Sequence, residues 1–175
     1  MGIGRIDPAV ADAGPLIHLT EIGGFSLLSI FETLHISDAV WSETVTADRV
    51  QRADVLALGN TQRHTLADAD VIRFVGEHNL HSLHVGEREC LLLCQQISVP
   101  LLLTDDLAVR KAAKSLGLTP VGSLGVVVKA YRLGLISLAD AERLIACLYD
   151  VSTLFVTRTI VELAIDQLHE RSGKS

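Results

Sequence analysis

The sequence predicts an α/β protein in which a parallel sheet is covered by helices on both faces. Short apolar runs alternate with segments of helical spacing along most of the chain, and this alternation is typical of parallel sheets. The apolar run Ala9–Ala11 leads directly into Asp12, and the run at 99–103 leads through Thr104 into Asp105 and Asp106, as expected for buried strands that end at a turn. Hydrophobic residues make up 49% of the 175 residues, enough to build the core of one domain.

The first quarter of the chain is predicted to contain two strands separated by helices. The strand Ala9–Ala11 ends at Asp12, and residues 13–15 are expected to turn the chain, with Pro15 at the first helical position. The helix that follows is expected to break at Gly23 and Gly24. The other elements predicted here are a short helix at 25–31, a strand at 33–36, and a helix that is capped by Ser37 or Asp38 and carries Glu43.

The middle of the chain has the weakest pattern, and its second half has the clearest. Residues 47–58 are expected to be helical, whereas residues 71–75 fit a strand or a helix equally well. Beyond Gly86 the predicted elements are a helix at 87–96, a strand at 99–103, a helix at 107–116 closed by Gly117, a strand at Thr119–Val121, and a helix at 122–133 ended by Gly134.

Two helices without an intervening strand are predicted at the C-terminus. The first begins at Ser137 or Asp140 and runs to about Tyr149, and the second covers 157–171. The second helix is expected to bury one stripe formed by Ile160, Leu163, Ala164 and Leu168. We therefore expect an α/β domain at 1–136, an appended helical pair at 137–175 packed on the same domain, and a frayed tail at 172–175.

Composition favours a soluble cytoplasmic protein that does not associate with a membrane. No apolar run approaches the roughly 18 residues of a spanning helix, and the N-terminus lacks the apolar core of a signal peptide. Three cysteines, an odd number, fit a reducing compartment. The net charge of −6 argues against a protein that coats nucleic acid through bulk charge.

The cysteines and histidines give little indication of a metal site. Cys90 and Cys94 are spaced as neighbours on one helix face, and we interpret them as small buried residues. His78, His81 and His84 cluster in a loop-like stretch without supporting carboxylates, which makes a metal site there improbable.

Carboxylates recur where an α/β sheet gathers its ligand-binding edge. They are Asp12 after the first strand, Glu43 after the second, Glu87 and Glu89 before the strand at 99–103, and Asp105 and Asp106 after it. Carboxylates crowded into one place repel each other unless a cation compensates them, and Mg²⁺ or Mn²⁺ is the natural partner of oxygen ligands. Two such ions can promote phosphodiester hydrolysis.

Each of these residues also has a plain structural explanation. Asp12 suits a turn, and Asp105 or Asp106 suits a helix N-cap. Glu43 fits a solvated helix face, and Glu87 complements a helix dipole. It is the joint placement of the carboxylates that favours a site.

Five stretches, taken in order, resemble a known family. They are D-A-G-P-L-I-H-L at 12–19, the helix with Glu43, L-H-V-G-E-R-E-C-L-L-L-C at 83–94, L-L-L-T-D-D-L-A-V-R at 101–110, and G-L-T-P-V-G-S-L-G-V-V-V-K-A-Y-R-L-G-L-I at 117–136. Together they resemble PIN-domain proteins, specifically the DUF3368 branch, which is close to VapC-type toxin ribonucleases.

This resemblance implies a three-layer α/β/α sandwich with a short parallel sheet and a metal-dependent endoribonuclease that cleaves single-stranded RNA with Mg²⁺ or Mn²⁺. It also implies an acidic quartet, which falls on Asp12, Glu43, Glu87 or Glu89, and Asp106, with Asp105 adjacent. We take Asp12, Glu43, Glu89 and Asp106 as the catalytic set and count Glu87 and Asp105 among the metal ligands. The chain departs from the family at Gly14, where a serine or threonine is common, and at Ser37-Asp38, where Ile-Pro is expected.

Basic residues follow the aspartate pair and continue on the next predicted helix. Arg110, Lys111, Lys114 and Lys129 are therefore the candidate RNA-binding residues, with Arg132 close by. Aromatic residues amount to 4% of the chain, so a broad base-stacking platform is not expected.

The resulting hypothesis is a metal-dependent ribonuclease, the toxin of a toxin–antitoxin pair, that forms a homodimer and binds an antitoxin protein. The alternative is a catalytically inactive PIN-fold module that binds RNA or protein. A receiver-like phosphoryl-transfer protein would also use strand-end aspartates, but it leaves Glu43, Glu87 and Glu89 unexplained.

Overall fold

The computed structural model describes residues 6–172, with side chains described through residue 170. The tail expected at 172–175 and the N-terminal stretch judged for a signal peptide therefore lie largely outside the described residues. A five-stranded parallel sheet forms the centre, with strand order β3-β2-β1-β4-β5. Its strands are β1 (Ala9–Ala11), β2 (Leu34–Ser37), β3 (Thr61–His64), β4 (Leu101–Leu103) and β5 (Thr119–Val121).

Helices cover the sheet on both faces, which confirms the predicted fold class. The α-helices are α1 (Ala13–Glu21), α2 (Asp38–Trp41), α3 (Arg52–Leu58), α4 (Asp68–His78), α5 (Val85–Gln96), α6 (Leu107–Ser115), α7 (Ser123–Arg132), α8 (Leu138–Asp150) and α9 (Arg158–Ser172). A 3₁₀ helix occupies Phe25–Ile30, and a π-helical turn at Ser42–Thr46 continues directly from α2. No helix in residues 6–172 has both the length and the apolar character needed to cross a membrane.

The central strands are short, and their sequences explain why they are buried. Every residue of β1 is fully buried, because small and β-branched side chains pack against helices on both faces. Helix α5 packs across β1, β2 and β4, together with α2 and α4, while α1, the 3₁₀ helix and α7 form the opposite layer. Helices α8 and α9 pack on α7 and on each other, and their buried side chains join the same core cluster as the sheet.

Several local predictions were wrong, each for a physical reason. Residues 13–15 do not form a turn but open α1, because Asp12 caps the helix and Pro15 is tolerated in a first turn, where its N–H would have no partner. Helix 47–58 is shorter than expected, since Asp48 adopts a left-handed conformation and α3 begins only at Arg52. For residues 71–75 the sequence left a strand and a helix equally open, and the structure places them in helix α4.

Strand β3 was not predicted at all. Its sequence, Thr61-Gln62-Arg63-His64, is polar and half-exposed, because it forms the edge of the sheet and is paired on one side with β2. An edge strand of this kind carries neither the apolar run nor the alternation from which strands are recognised.

The stripe predicted for the last helix was only half right. Ala164 and Leu168 are buried in α9, but Ile160 and Leu163 remain 48% and 57% exposed. The buried position at the start of the helix is Val161 instead. One apolar side of α9 therefore faces an open groove rather than the core.

Candidate active site

The candidate site lies at the carboxyl ends of β1 and β4, the two neighbouring central strands. From β1 the chain continues on one side of the sheet to β2 and β3, and it returns on the other side with β4. Ligands of open α/β sheets bind at such a reversal of strand order. A cleft of about 440 Å³ opens there, and its acidic lining residues are Asp12, Glu43, Glu87, Asp105 and Asp106.

Asp12 is the most deeply placed of these carboxylates, with 5% of its surface exposed. The N–H of Ala13 donates to Oδ1 at 2.8 Å, and the hydroxyl of Thr104 donates to Oδ2 at 2.9 Å. Burial raises the pKa of Asp12 from 3.8 to about 6; the two hydrogen bonds oppose this rise, and the negative charges of Glu87 and Glu43 add to it. The ionised form of Asp12 is therefore costly unless a cation accompanies it.

Glu43 is carried by the π-helical turn that follows α2. The hydroxyl of Ser37 caps α2, and the hydroxyl of Thr44 donates to the carbonyl of Val40 at 2.7 Å within the turn. Helix α5 approaches closely at Gly86, where an added Cβ would lie 3.4 Å from Glu43 Oε2. Short π-helical segments of this kind occur frequently at functional sites.

Glu87 and Glu89 point to different places although they share α5. Glu87 lines the cleft, and its Oε2 accepts the His84 N–H at 2.7 Å in a capping box. Glu89 does not line the cleft, because its Oε2 accepts the N–H of Ala39 at 3.0 Å and so satisfies the start of α2. Residues two apart on a helix point about 200° away from each other, so only one of them can face a given side.

Asp105 and Asp106 likewise differ in their surroundings. Asp105 Oδ1 accepts the Ser123 N–H at 2.7 Å, and its Oδ2 accepts the Ser123 hydroxyl at 2.6 Å and His18 Nδ1 at 2.7 Å. Asp106 is exposed and caps α6, with Oδ1 accepting the N–H of Val109 at 2.9 Å. Asp105 therefore ties α1 to α7, whereas Asp106 keeps Oδ2 without a hydrogen-bond donor among the described residues.

The donor set fits a divalent cation in chemistry. Among the described residues, no three acidic, histidine or cysteine side chains are already close enough to hold an ion. However, Glu43, Glu87 and Asp106 each retain at least one carboxylate oxygen without a hydrogen-bond donor among the described residues, and each oxygen of Asp12 accepts only one hydrogen bond. Oxygen ligands of this type suit Mg²⁺ and Mn²⁺.

The predicted RNA-binding residues separate into two groups. Arg110 and Lys129 line a second concavity beside the cleft, together with Arg132. Lys111 and Lys114 are exposed on α6 and line neither concavity.

Three further histidine or arginine side chains line the cleft and were not among the predicted site residues: His18, Arg49 and His84. His18 lies in the last turn of α1, at the opposite end of the helix from Asp12, and no spacing in the sequence connects it with the site. Arg49 comes from the irregular turn before α3, where no sequence pattern indicates direction. His84 is the N-cap of α5 and could have been found as the residue that precedes the helix.

The cysteines behave as buried core residues, as expected. Cys90 and Cys94 are buried, and burial raises the pKa of both thiols, to about 12 for Cys94. A buried thiol with a raised pKa is a poor nucleophile and a poor metal ligand.

Comparison with known proteins gives one match. The model of the family DUF3368, described as a PIN domain, matches residues 8–170. No curated protein and no solved structure matches the chain.

Proposed function

The chain belongs to the DUF3368 family of PIN domains, a nuclease-type fold, and from this premise we propose that it is a metal-dependent endoribonuclease acting on single-stranded RNA. The observation that carries the proposal is the convergence of Asp12, Glu43, Glu87 and Asp106, contributed by four different elements, on one cleft. The pKa of Asp12, raised to about 6 chiefly by burial, supports it, because a bound cation would stabilise the charged form of this buried carboxylate.

In this proposal Asp12, Glu43, Glu87 and Asp106 hold Mg²⁺ or Mn²⁺. When bound, such an ion supplies Lewis-acid chemistry that activates water and stabilises the leaving oxygen of a phosphodiester. Thr104 positions two of the ligands, since its hydroxyl donates to Asp12 and accepts the Asp106 N–H at 3.3 Å. We assign Glu87 rather than Glu89 to the site because only Glu87 lines the cleft.

The test is cleavage of a fluorescently labelled single-stranded RNA by the purified full chain, with Mn²⁺ or with EDTA. We expect Asp12→Asn, Glu87→Gln and Asp106→Asn to abolish the Mn²⁺-dependent cleavage. Glu89→Gln is the matched control: it makes the same change two residues further along α5, outside the cleft, and it should cleave like the wild type. If Asp12→Asn cleaved RNA at the wild-type rate, this assignment of the active site would be wrong.

A second readout does not depend on activity. Mn²⁺ should raise the melting temperature of the wild type, because a ligand that binds only the folded state stabilises it. The rise should be smaller for Asp12→Asn and unchanged for Glu89→Gln. A protein that binds RNA but neither binds Mn²⁺ nor cleaves would instead be the inactive binding module.

The proposed biological role is the toxin of a toxin–antitoxin pair. It is supported by the resemblance of the ordered motifs to VapC-type toxins. Growth arrest on expression, relieved by the product of a neighbouring gene, tests this role.

A further inference from the structure

A second concavity of about 590 Å³ adjoins the acidic cleft. Residues of α6, β5, α7 and α9 line it, and much of the lining is apolar. Asp105, Leu107, Leu154 and Phe155 line both this groove and the cleft, so the two spaces meet at these residues. An extended ligand that lay in the groove could therefore reach the carboxylates.

Phe155 stands at this junction with 94% of its surface exposed. It belongs to the segment between α8 and α9, where Leu154 and Val156, on either side, are half-buried against the core. The Phe155 side chain therefore points outward, whereas the side chains on either side of it point inward. Leu107, the first residue of α6, is 81% exposed beside it.

The segment that carries Phe155 is fastened to the domain. The N–H of Thr153 donates to Glu21 Oε2 at 2.7 Å, and its hydroxyl donates to Glu21 Oε1 at 2.8 Å. The N–H of Leu154 donates to the Ser152 hydroxyl at 3.2 Å. A phenyl ring held out in water by an anchored segment forgoes the stabilisation of burial. Leu107, Ile160 and Leu163 are also exposed along the same groove, so Phe155 belongs to an apolar patch, and contiguous patches of this kind mark interaction sites.

The groove beside Phe155 carries positive charge. Lys129 and Arg132, both from α7, line it, and neither forms an ion pair within the part of the chain whose side chains are described. Arg110 is oriented by donating to the Thr104 carbonyl at 3.1 Å, which leaves further guanidinium N–H groups for a ligand. Asp105, the one carboxylate among the described residues that line the groove, is already bonded to Ser123 and His18.

We propose that Phe155 stacks on a base of the single-stranded RNA and guides the strand from the cationic groove into the acidic cleft. This inference rests on the proposed function, because it names how the substrate of that cleft is held. Lys129 and Arg132 contact phosphates on the groove side of the stacked base. One exposed aromatic residue suffices for this role, although the chain is too poor in aromatics to form a platform.

The chemistry of the two spaces favours RNA over a peptide as occupant. Both a phosphate chain and an acidic peptide would suit Lys129 and Arg132. Single-stranded RNA, unlike a peptide, also presents flat bases and a scissile phosphodiester. It would therefore use the phenyl ring and the adjoining carboxylates together. Because every base has a π-face, stacking of this kind contributes affinity with little sequence preference.

The test measures binding of a fluorescein-labelled single-stranded RNA to the full chain in EDTA by fluorescence anisotropy, so that cleavage plays no part. Loss of one stacking contact weakens binding about 5- to 150-fold, and we expect this for Phe155→Ala. Phe155→Leu keeps an apolar side chain but no ring, and it should be weakened as well. Phe155→Trp should bind like the wild type, and RNA should quench its additional tryptophan emission. Ile72→Ala, which truncates a 72% exposed apolar residue on α4 outside both concavities, is the matched control.

The salt dependence separates stacking from charge. A plot of the logarithm of the association constant against log[salt] has a negative slope. Lys129→Ala should make that slope shallower by about 0.7, the value for one phosphate contact to a single strand. Phe155→Ala should leave that slope unchanged. A structural role for Phe155 would not produce this difference.

Wild-type affinity in Phe155→Ala would overturn the inference even if Mn²⁺-dependent cleavage supported the proposed function. Undiminished affinity in Phe155→Leu would overturn stacking in favour of a general apolar contact. A change of oligomeric mass in Phe155→Ala, with RNA affinity intact, would identify the groove as a protein–protein interface instead. Absence of RNA binding and of cleavage in the wild type would reject the proposed function and this inference together.

Discussion

Adjacent carboxylates in this protein have different surroundings. Asp105 is held by Ser123 and His18 and so joins the start of α7 to the last turn of α1, whereas neighbouring Asp106 caps α6 and faces the cleft. Of the two, Asp106 is the one with an oxygen open to a metal. Asp105, by contrast, fixes one wall of the site.

Asp12 provides the sharpest prediction at the scale of single residues. Its folded-state pKa, about 6, exceeds the ordinary value of 3.8, so the folded protein holds this proton more tightly than the unfolded chain does. Stability of the metal-free protein is therefore lost as pH rises from about 3.8 to about 6 and stays reduced above that range. The loss is at most about 3 kcal/mol, since one pKa unit corresponds to about 1.36 kcal/mol.

Asp12→Asn removes this cost while keeping the shape, because its Oδ1 can accept the Ala13 N–H and its amide can donate to Thr104. In EDTA, its free energy of unfolding should exceed that of the wild type at pH 7.5, and the difference should shrink towards pH 4. Urea unfolding at several pH values measures this. The control is Asp166→Asn, which deletes a charge on the exposed face of α9. A difference that does not vary with pH would contradict the account.

Two glycines, at the N-terminal ends of α1 and α7, show how tightly these helices pack around the site. Gly14 lies in the first turn of α1, where an added Cβ would make only ordinary contacts, the nearest at 3.6 Å from Asp105 Cβ and His18 Cε1. Gly122 is the N-cap of α7, where an added Cβ would lie 2.7 Å from Asp105 Oδ1. Asp105 cannot easily yield, because Ser123 and His18 hold it.

The same substitution should therefore have opposite effects at these two helix starts. Gly14→Ala should stabilise the protein by about 0.5–1 kcal/mol, since alanine loses less backbone entropy in a helix. Gly122→Ala should destabilise it by about 1–3 kcal/mol through overpacking. Chemical unfolding of both variants measures the two changes. Stabilisation by Gly122→Ala would show that Asp105 does not hold α7 as described.

At the scale of the whole molecule, the apolar surface supports the proposal that the chain forms a homodimer. Exposed apolar side chains occur away from the groove as well, notably Leu56, Ile72 and Val85, which are 64%, 72% and 58% exposed. Twofold pairing through one self-complementary surface is the commonest form of homo-oligomer. Light scattering of the purified chain should give twice the monomer mass. A monomer at high micromolar concentration would end this proposal.

The sequence by itself determined that the sheet is parallel, where its buried strands lie along the chain, and at which edge the carboxylates gather. It could do so because β1, β4 and β5 are short runs without charged residues and are followed by polar or glycine residues, a local signal that does not depend on distant contacts. The polar edge strand β3 lacked that signal.

Only the tertiary structure decided which carboxylate faces the cleft. Glu87 and Glu89 are equivalent by type and spacing, and the packing of α5 against α2 directs one to the cleft and the other to the N–H of Ala39. The exposure of Phe155 could not be predicted from the sequence for the same reason. This exposure results from the way Glu21 and the core hold the segment between α8 and α9. Side-chain direction depends on partners far away along the chain, and no local pattern records them.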